Sequence, residues 1–164
     1  MDKKQFLKSL LSFVFYILLV FIFIYFYISI SGYEDVLKQL KTVFPDFSTN
    51  DTILFAAVLM SIISIIGFLI QYLISIFLTK VFLKNMKPRM YYALFPKIII
   101  LIFNIIFVKF FLLNNEILYL ISTLFSVFLI FIYSLYKQND WKFSIVFITP
   151  FFVDAFVSFI RYFF

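Results

Sequence analysis

The first charge-free stretch of the chain is the feature that most limits its fold. Between Lys8 and Glu34 the chain has 25 consecutive uncharged residues, most of them Phe, Ile, Leu, Tyr or Val. A helix needs about 20 apolar residues to cross the roughly 30 Å hydrocarbon core of a bilayer. The stretch is too long for the apolar region of a signal peptide and has no small-residue cleavage site behind it, so we expect a permanent membrane helix.

Four further apolar stretches follow the first. The chain of 164 residues is 65% hydrophobic and 13% charged, whereas a soluble protein has about 25% charged residues. The pattern predicts an all-α fold, a polytopic transmembrane helical bundle that forms a single integral membrane domain over 1–164. The five predicted spans lie at about 10–31, 52–79, 93–113, 117–136 and 143–162.

The distribution of Lys and Arg predicts the orientation of these spans, because cytoplasmic loops carry the excess of basic residues. Ten basic residues fall on one side: Lys3, Lys4, Lys8, Lys80, Lys84, Lys87, Arg89, Lys97, Lys137 and Lys142. Four fall on the other: Lys38, Lys41, Lys109 and Arg161. We therefore expect the N-terminus inside and the C-terminus outside. The abundance of Phe, Ile, Asn and Lys suits an A+T-rich genome and favours the cytoplasmic membrane of a bacterium.

The long segment between the first two spans has an amphipathic part at 33–44. Tyr33, Val36, Leu37, Leu40 and Phe44 recur at helical spacing, and a proline directly afterwards ends the pattern. The spacing predicts a short helix in the plane of the outer interface. A lid packed over the bundle is the alternative, and a cap that binds a toxin or a substrate is a third.

A basic patch follows the second span. It consists of Lys80, Lys84, Lys87 and Arg89, and the neighbouring Pro88 prevents the helix from continuing. Anionic lipid headgroups would bind each of these side chains with about 1 kcal/mol near the surface. A protein partner is the second ligand that such a patch accepts.

Small and polar residues form one stripe along the second span. They recur every three or four positions: Ala57, Ser61, Ser64, Gly67, Gln71, Ser75 and Thr79. Small residues in membrane helices mark the faces that pack against other helices. The stripe therefore predicts that this span is the centre of the bundle, and a transport path along it is the alternative.

Asp154 is an ionisable residue inside the last predicted span, where a charge needs a partner or water. Lys97 to Lys109 and Lys142 to Asp154 are each twelve residues, about 18 Å along a helix. If both lysines at 97 and 142 mark the inner boundary, Lys109 and Asp154 reach the same depth. We therefore expect a structural ion pair between them, with Arg161 two turns further along. A proton or ion relay is the alternative, and Lys109 has the further option of extending to the surface.

Residue types that the chain lacks exclude several function classes. It contains neither Cys nor His, which removes the common zinc sites and the Ser-His and Cys-His nucleophiles. An aspartyl enzyme needs two neighbouring carboxylates, and only Asp154 lies deep in a predicted span. The basic residues are spread along the loops rather than gathered on one soluble face, which argues against nucleic acid. We expect a protein that is not an enzyme and binds no cofactor and no metal.

The part of the chain from Phe44 onwards resembles bacterial membrane proteins of the Yip (Ypt-interacting-protein) family. The resemblance lies in PDF before a long span, in LTKVFLKNMKPRMYYALFPKIIILIF with Tyr91, Tyr92 and Pro96, and in KQNDWKFSIVF. It implies five spans, a cytoplasmic N-terminus and a non-catalytic protein that acts through partners. Bacterial members accompany ABC exporters that handle or confer resistance to membrane-active antimicrobial peptides, so the resemblance implies an accessory or scaffold subunit beside an ABC transporter permease.

Two other function classes stay open. An immunity protein against a bacteriocin or another toxin also requires only a compact helical bundle in the membrane. A small transporter or channel subunit would instead move a solute, and replacing Asp154 or Gln71 would abolish its flux. The lipid bilayer is the partner common to all three classes.

Overall fold

The computed structural model describes residues 3–31, 34–83, 86–111 and 116–163. Of these residues 91% are helical, and none lies in a strand. They form six helices: α1 (Lys3–Ser31), α2 (Glu34–Val43), α3 (Thr49–Phe82), α4 (Tyr91–Phe111), α5 (Glu116–Gln138) and α6 (Trp141–Phe163).

Five of these helices are long and apolar enough to cross a membrane. The candidate spans are Ser9–Ile30, Thr49–Phe82, Tyr91–Phe110, Leu120–Gln138 and Trp141–Tyr162. They coincide with the five spans expected from the sequence, so the prediction of an all-α, polytopic helical bundle is confirmed. The protein is a multi-pass membrane protein, and its exposed Phe, Ile and Leu side chains face lipid.

Local hydrogen bonds explain where two of the helices begin. At the start of α3, Asp51 N donates to Ser48 Oγ, and Ser48 N donates to Asp51 Oδ2. This reciprocal capping box satisfies two backbone donors that the first helical turn leaves free. Between α5 and α6, Asn139 adopts a positive φ of 51°, and Phe143 N donates to Asp140 Oδ1. A left-handed residue followed by an N-cap carboxylate turns the chain within two residues.

The five spans form a closed ring in the spatial order α1, α4, α5, α6 and α3, in which each span packs against two neighbours. Contacts between neighbouring helices give their directions. Ile28 packs with Ala57 and Tyr16 with Phe68, so the chain order is reversed and α1 and α3 are antiparallel. Lys109, near the end of α4, lies over the ring of Phe26, near the end of α1, so these two helices end on the same side of the bundle and run parallel. The prediction that α3 is the centre of the bundle is wrong, because α3 is one member of the ring, in which it packs against α1 and α6, with α2 on its outer part.

Helix α2 (Glu34–Val43) lies within the predicted amphipathic segment 33–44 and packs on α3, and Tyr33 falls outside the described residues. Leu40 joins the small core of Ile28, Ala56 and Ala57, and Lys41 Nζ donates to Thr49 Oγ1 at 3.0 Å. Its contacts are with the first turns of α3 rather than across the ring. We refer to this part of the bundle as the α2 end and to the opposite part as the α3–α4 loop end.

Towards the α3–α4 loop end, aromatic rings fill the interior of the helix ring. They are Phe68, Tyr92, Phe143, Phe147 and Phe151, all buried, with neighbouring centroids 5.6 to 6.3 Å apart. Offset and edge-to-face contacts at such distances stabilise beyond simple burial. We call this set the aromatic plug, and it closes one half of the ring.

Candidate ligand site within the helix ring

The half of the ring that the aromatic plug leaves open contains a cavity of about 370 Å³, and all five spans contribute to it. Small-molecule sites in proteins occupy about 300–1,000 Å³, so the cavity has the size of a site for a small ligand. Its lining residues are Tyr16, Val20, Phe23, Ile24 and Tyr27 of α1, Met60 and Ser64 of α3, Lys97, Ile100, Leu101 and Asn104 of α4, Ser122, Thr123 and Ser126 of α5, and Asp154 of α6.

Lys97 is the cation of the cavity. Its ammonium nitrogen lies 5.4 Å from the ring centroid of Phe68 on α3 and 5.3 Å from that of Phe151 on α6. The negative faces of two aromatic rings stabilise a desolvated cation electrostatically. Both rings belong to the aromatic plug, so Lys97 extends across the interior of the ring and lies where the plug meets the cavity.

Asp154 is the anion of the cavity. Its neighbours Pro150, Phe151 and Ala155 are buried, which places it on the inward face of α6, yet the Asp154 side chain itself is exposed. Part of its surface lines the cavity. Lys97 and Asp154 interact electrostatically, and among the described side chains they are the two charged groups that line this space.

Asp154 lies near the middle of α6, and the Lys97 ammonium lies beside Phe151, one turn before it. Ser75 Oγ donates to the carbonyl oxygen of Phe147 at 2.8 Å, which fixes the register between α3 and α6. Asp154 follows Trp141, the first residue of α6, by 13 residues, about 20 Å along the helix. Ionisable groups at such depth are costly and in membrane proteins mark pathways and binding sites.

The walls of the cavity differ in polarity. On one side Ser122 Oγ donates to Asn104 Oδ1 at 2.7 Å, which joins α5 to α4, and Thr123 and Ser126 extend this polar wall. On the other side α1 contributes apolar and aromatic surface, including Val20 and Phe23. A ligand in this space would therefore meet hydroxyl and amide groups on one wall and hydrocarbon on the other.

The structure does not bring together the residues of the predicted ion pair. The Lys109 ammonium lies 4.9 Å from the ring centroid of Phe26 and 6.0 Å from that of Phe110, and Lys109 is not among the residues that line the cavity with Asp154. Arg161 is exposed in the last turn of α6. The lysine beside Asp154 is Lys97.

Lys97 falls inside the predicted span 93–113, although it was counted with the basic residues of the inner boundary. In the structure α4 begins at Tyr91, six residues before Lys97. Tyr92 is buried against Tyr133 and Phe143, and Gln138 Nε2 donates to its hydroxyl at 2.7 Å. These contacts hold the first turn of α4 inside the bundle, so Lys97 lies within a span.

The predicted stripe on α3 serves two purposes. Ala57 and Ser61 are buried at the α2 end, and Ser75 and Thr79 are buried at the other end, where Ser75 donates to α6. In the middle Ser64 lines the cavity, Gln71 Oε1 is buried with no hydrogen-bond partner among the described residues, and a Cβ added to Gly67 would meet nothing within 4 Å. The stripe is therefore a packing surface at its two ends, and between them Ser64 contributes to the cavity wall.

The predicted basic patch lies at the α3–α4 loop end. Lys80 and Lys87 are exposed, and Arg89 Nη1 lies 3.4 Å from the Tyr91 hydroxyl, to which it donates. Lys84 falls outside the described residues. The exposed members of the patch remain available to headgroups or to a partner protein.

Sequence reasoning missed Lys97, Asn104 and the α5 hydroxyls as members of one site. The signal that was available is spacing, because Lys97, Leu101 and Asn104 recur at intervals of four and three and therefore share one face of α4. Among the described residues no group of three Asp or Glu side chains suits a metal ion. The chemistry that the arrangement supports is recognition of charge and hydrogen-bonding groups.

Comparisons with known proteins add no family to this description. No family model, no curated protein and no solved structure matches the chain. The resemblance to the Yip family therefore stays a prediction from the sequence.

Proposed function

We propose that this protein is a non-catalytic membrane protein that binds a small polar molecule in the cavity of its helix ring, as a small transporter does. We also propose that the protein lies in the cytoplasmic membrane of a bacterium with its N-terminus inside. The basic residues near Lys3 and Lys80 support this orientation. The absence of His and Cys supports the non-catalytic part.

One observation carries the proposal: Lys97 and Asp154, from two different membrane spans, line the same cavity. A pure scaffold has no use for two such charges, because apolar side chains of similar volume pack at least as stably. Polar residues from α4 and α5 line the same space and offer hydroxyl groups to a ligand. A ligand or water that enters the cavity solvates both charges.

Cysteine labelling tests whether the cavity admits polar molecules. The chain has no Cys, so a Ser126→Cys variant carries a single thiol in the cavity wall. We expect a membrane-impermeant, cationic thiol reagent to label this variant in nanodiscs. Ser134→Cys is the matched control, because Ser134 lies two turns further along α5 and is fully buried outside the cavity.

Equal protection of both thiols would overturn the proposal, since it would show that the cavity is closed to water. Labelling of the Ser126→Cys variant alone supports it. Labelling of both variants would indicate an opened bundle, which excludes a defined site.

A second candidate is the accessory subunit of a larger membrane complex, such as an ABC exporter for membrane-active peptides. It is favoured by the length of α3, along which exposed apolar residues extend from Leu54 (50% exposed) to Phe82 (67% exposed). This distance is about 42 Å, longer than the roughly 30 Å of hydrocarbon. Some of these side chains therefore lie at the headgroups or against another protein.

Co-purification in mild detergent tests this candidate. We expect an ABC permease and its ATPase to accompany the wild-type chain and to be lost from a Phe82→Ser variant. Ile66→Ser is the matched control, because Ile66 is also exposed but lies in the middle of α3, where lipid surrounds it. Loss of the permease from both variants, or its absence from the wild type, contradicts the accessory role.

A further inference from the structure

We infer that the cavity recognises a small zwitterion with an apolar side group, whose anionic group binds Lys97 and whose ammonium group binds Asp154. The inference rests on the proposed function, because it specifies the ligand of the same site. It follows from the placement of the two charges, the polarity of the walls and the volume of the cavity.

The two charges interact without being joined. In the described part of the chain Lys97 Nζ donates no hydrogen bond, and its close contacts are the rings of Phe68 and Phe151. Asp154 accepts no hydrogen bond and forms no direct ion pair there, although it lies near enough to Lys97 for an electrostatic interaction. Aromatic faces attract an ammonium group but leave its N–H donors without a conventional acceptor.

An unbridged cation and anion in one cavity favour a ligand that carries both opposite charges. A simple anion would neutralise Lys97 and leave the Asp154 carboxylate facing a new negative charge. A simple cation would neutralise Asp154 and leave the Lys97 ammonium facing a new positive charge. Only a zwitterion provides each group with a counter-charge and keeps the net charge of the cavity unchanged, which matters in a medium of low dielectric constant.

The walls and the volume define the rest of the ligand. The face of α1 offers Val20, Phe23 and Ile24 to an apolar group, while Asn104 and Ser126 lie on the polar walls. The cavity of about 370 Å³ is near the lower limit for small-molecule sites. An α-amino acid with an apolar side chain has this chemistry, and so has the headgroup of an aminophospholipid that enters from the bilayer.

Binding of L-phenylalanine, L-leucine and L-methionine to the full chain tests the inference. The protein is placed in nanodiscs of phosphatidylglycerol, a lipid without a zwitterionic headgroup. We expect saturable binding of at least one amino acid, and binding at least about 30-fold weaker for its methyl ester and for its deaminated acid, because each lacks one of the two charges.

Variants assign each charge to its partner. Lys97→Met should abolish the preference for the amino acid over its ester, and Asp154→Asn should abolish the preference over the deaminated acid. Lys109→Met is the matched control and should leave affinity and both preferences unchanged, because Lys109 contacts Phe26 outside the cavity. A variant that merely misfolds would lose binding of all the ligands, and would not lose one of the two preferences while keeping the other.

Further measurements distinguish a free amino acid from a lipid headgroup as the ligand, and distinguish failure of this inference from failure of the proposed function. Competition by phosphatidylethanolamine added to the nanodiscs would identify the headgroup as a source, and its failure to compete would leave the free amino acid. Two outcomes would overturn the inference that the ligand is a zwitterion and would leave only a polar cavity. One is equal binding of the ester, the deaminated acid and the amino acid. The other is that no amino acid binds although the Ser126→Cys variant is labelled. Protection of the Ser126→Cys variant from the thiol reagent overturns the proposed function itself.

Discussion

The two halves of the helix ring use the same five helices for opposite purposes. Towards the α3–α4 loop the interior is filled by the aromatic plug, whereas towards α2 it contains a cavity with Lys97, Asp154 and several hydroxyl groups. In lipid, apolar side chains gain little by turning inward, so close packing rather than hydrophobicity holds a bundle together. The plug half supplies that packing, and the cavity half is free to carry polar groups that reduce it.

The largest effect is expected in the plug. Phe147 is fully buried, and its replacement in Phe147→Ala removes ring contacts to Tyr92, Phe143 and Phe151. Such a substitution costs about 3–5 kcal/mol in soluble cores, and we expect a somewhat smaller loss here because lipid also solvates the ring. Unfolding in mixed micelles measures the loss.

Phe152→Ala is the control for this prediction, because Phe152 lies on the same helix but is 51% exposed. We expect it to change the free energy of unfolding by much less. Similar losses for both variants would show that the plug is no more important than the lipid-facing surface.

The charges of the cavity should be coupled to each other. Asp154→Asn leaves Lys97 without a counter-charge, and Lys97→Met should restore part of the lost stability. We expect a coupling energy of about 1–2 kcal/mol in a double-mutant cycle, within the range for groups that share a network.

The parallel cycle with Lys109→Met distinguishes the structure from the sequence-based prediction. Since Lys109 contacts Phe26 and does not line the cavity, we expect additive effects with Asp154→Asn. Coupling at Lys109 and none at Lys97 would refute the placement of α4.

A smaller effect is expected at the seam between α3 and α6. Ser75→Ala removes the hydrogen bond to the Phe147 carbonyl, and interhelical hydrogen bonds in membranes contribute about 0.6 kcal/mol on average. Ser61 donates only within its own helix, to the Ala57 carbonyl, so Ser61→Ala should cost less in the same unfolding assay. The reverse order would contradict the register between the two helices.

An effect of similar size but opposite sign is expected in the middle of the stripe, where a substitution should stabilise the protein. A Cβ at Gly67 meets no atom within 4 Å, and Ala is favoured over Gly in a helix by about 0.5–1 kcal/mol. Gly67→Ala should therefore raise the midpoint of thermal unfolding slightly. A destabilised variant would show that another helix approaches α3 at this position.

The sequence allowed the five spans to be predicted because apolar length is a local property. Ser9–Ile30 and Trp141–Tyr162 agree with their predicted ranges within a few residues. The order of the helices in the ring was not predictable in the same way, since it depends on which faces pack together. The small residues on α3 were recognised as one stripe from their spacing. The spacing did not show that different parts of the stripe face two different helices and a cavity.

The candidate site was only half predicted, for a physical reason. Asp154 was recognised because a carboxylate inside an apolar stretch is conspicuous. Lys97 was not, because it was counted with the basic residues near the inner boundary, where a lysine is expected to reach the headgroups. Its position between Phe68 of α3 and Phe151 of α6 depends on contacts between distant residues, which cannot be read from local patterns.

An odd number of spans gives the ring a particular symmetry. In a closed ring of five helices, at least one pair of neighbours must run parallel. Here that pair is α1 and α4, which together supply nine of the residues that line the cavity. Many transporters consist of two inverted repeats that rock against each other, and the five helices described here do not divide into two equal groups. If the proposed transport occurs, we expect the movement to begin at the seam of the two parallel helices, because this seam supplies most of the cavity lining.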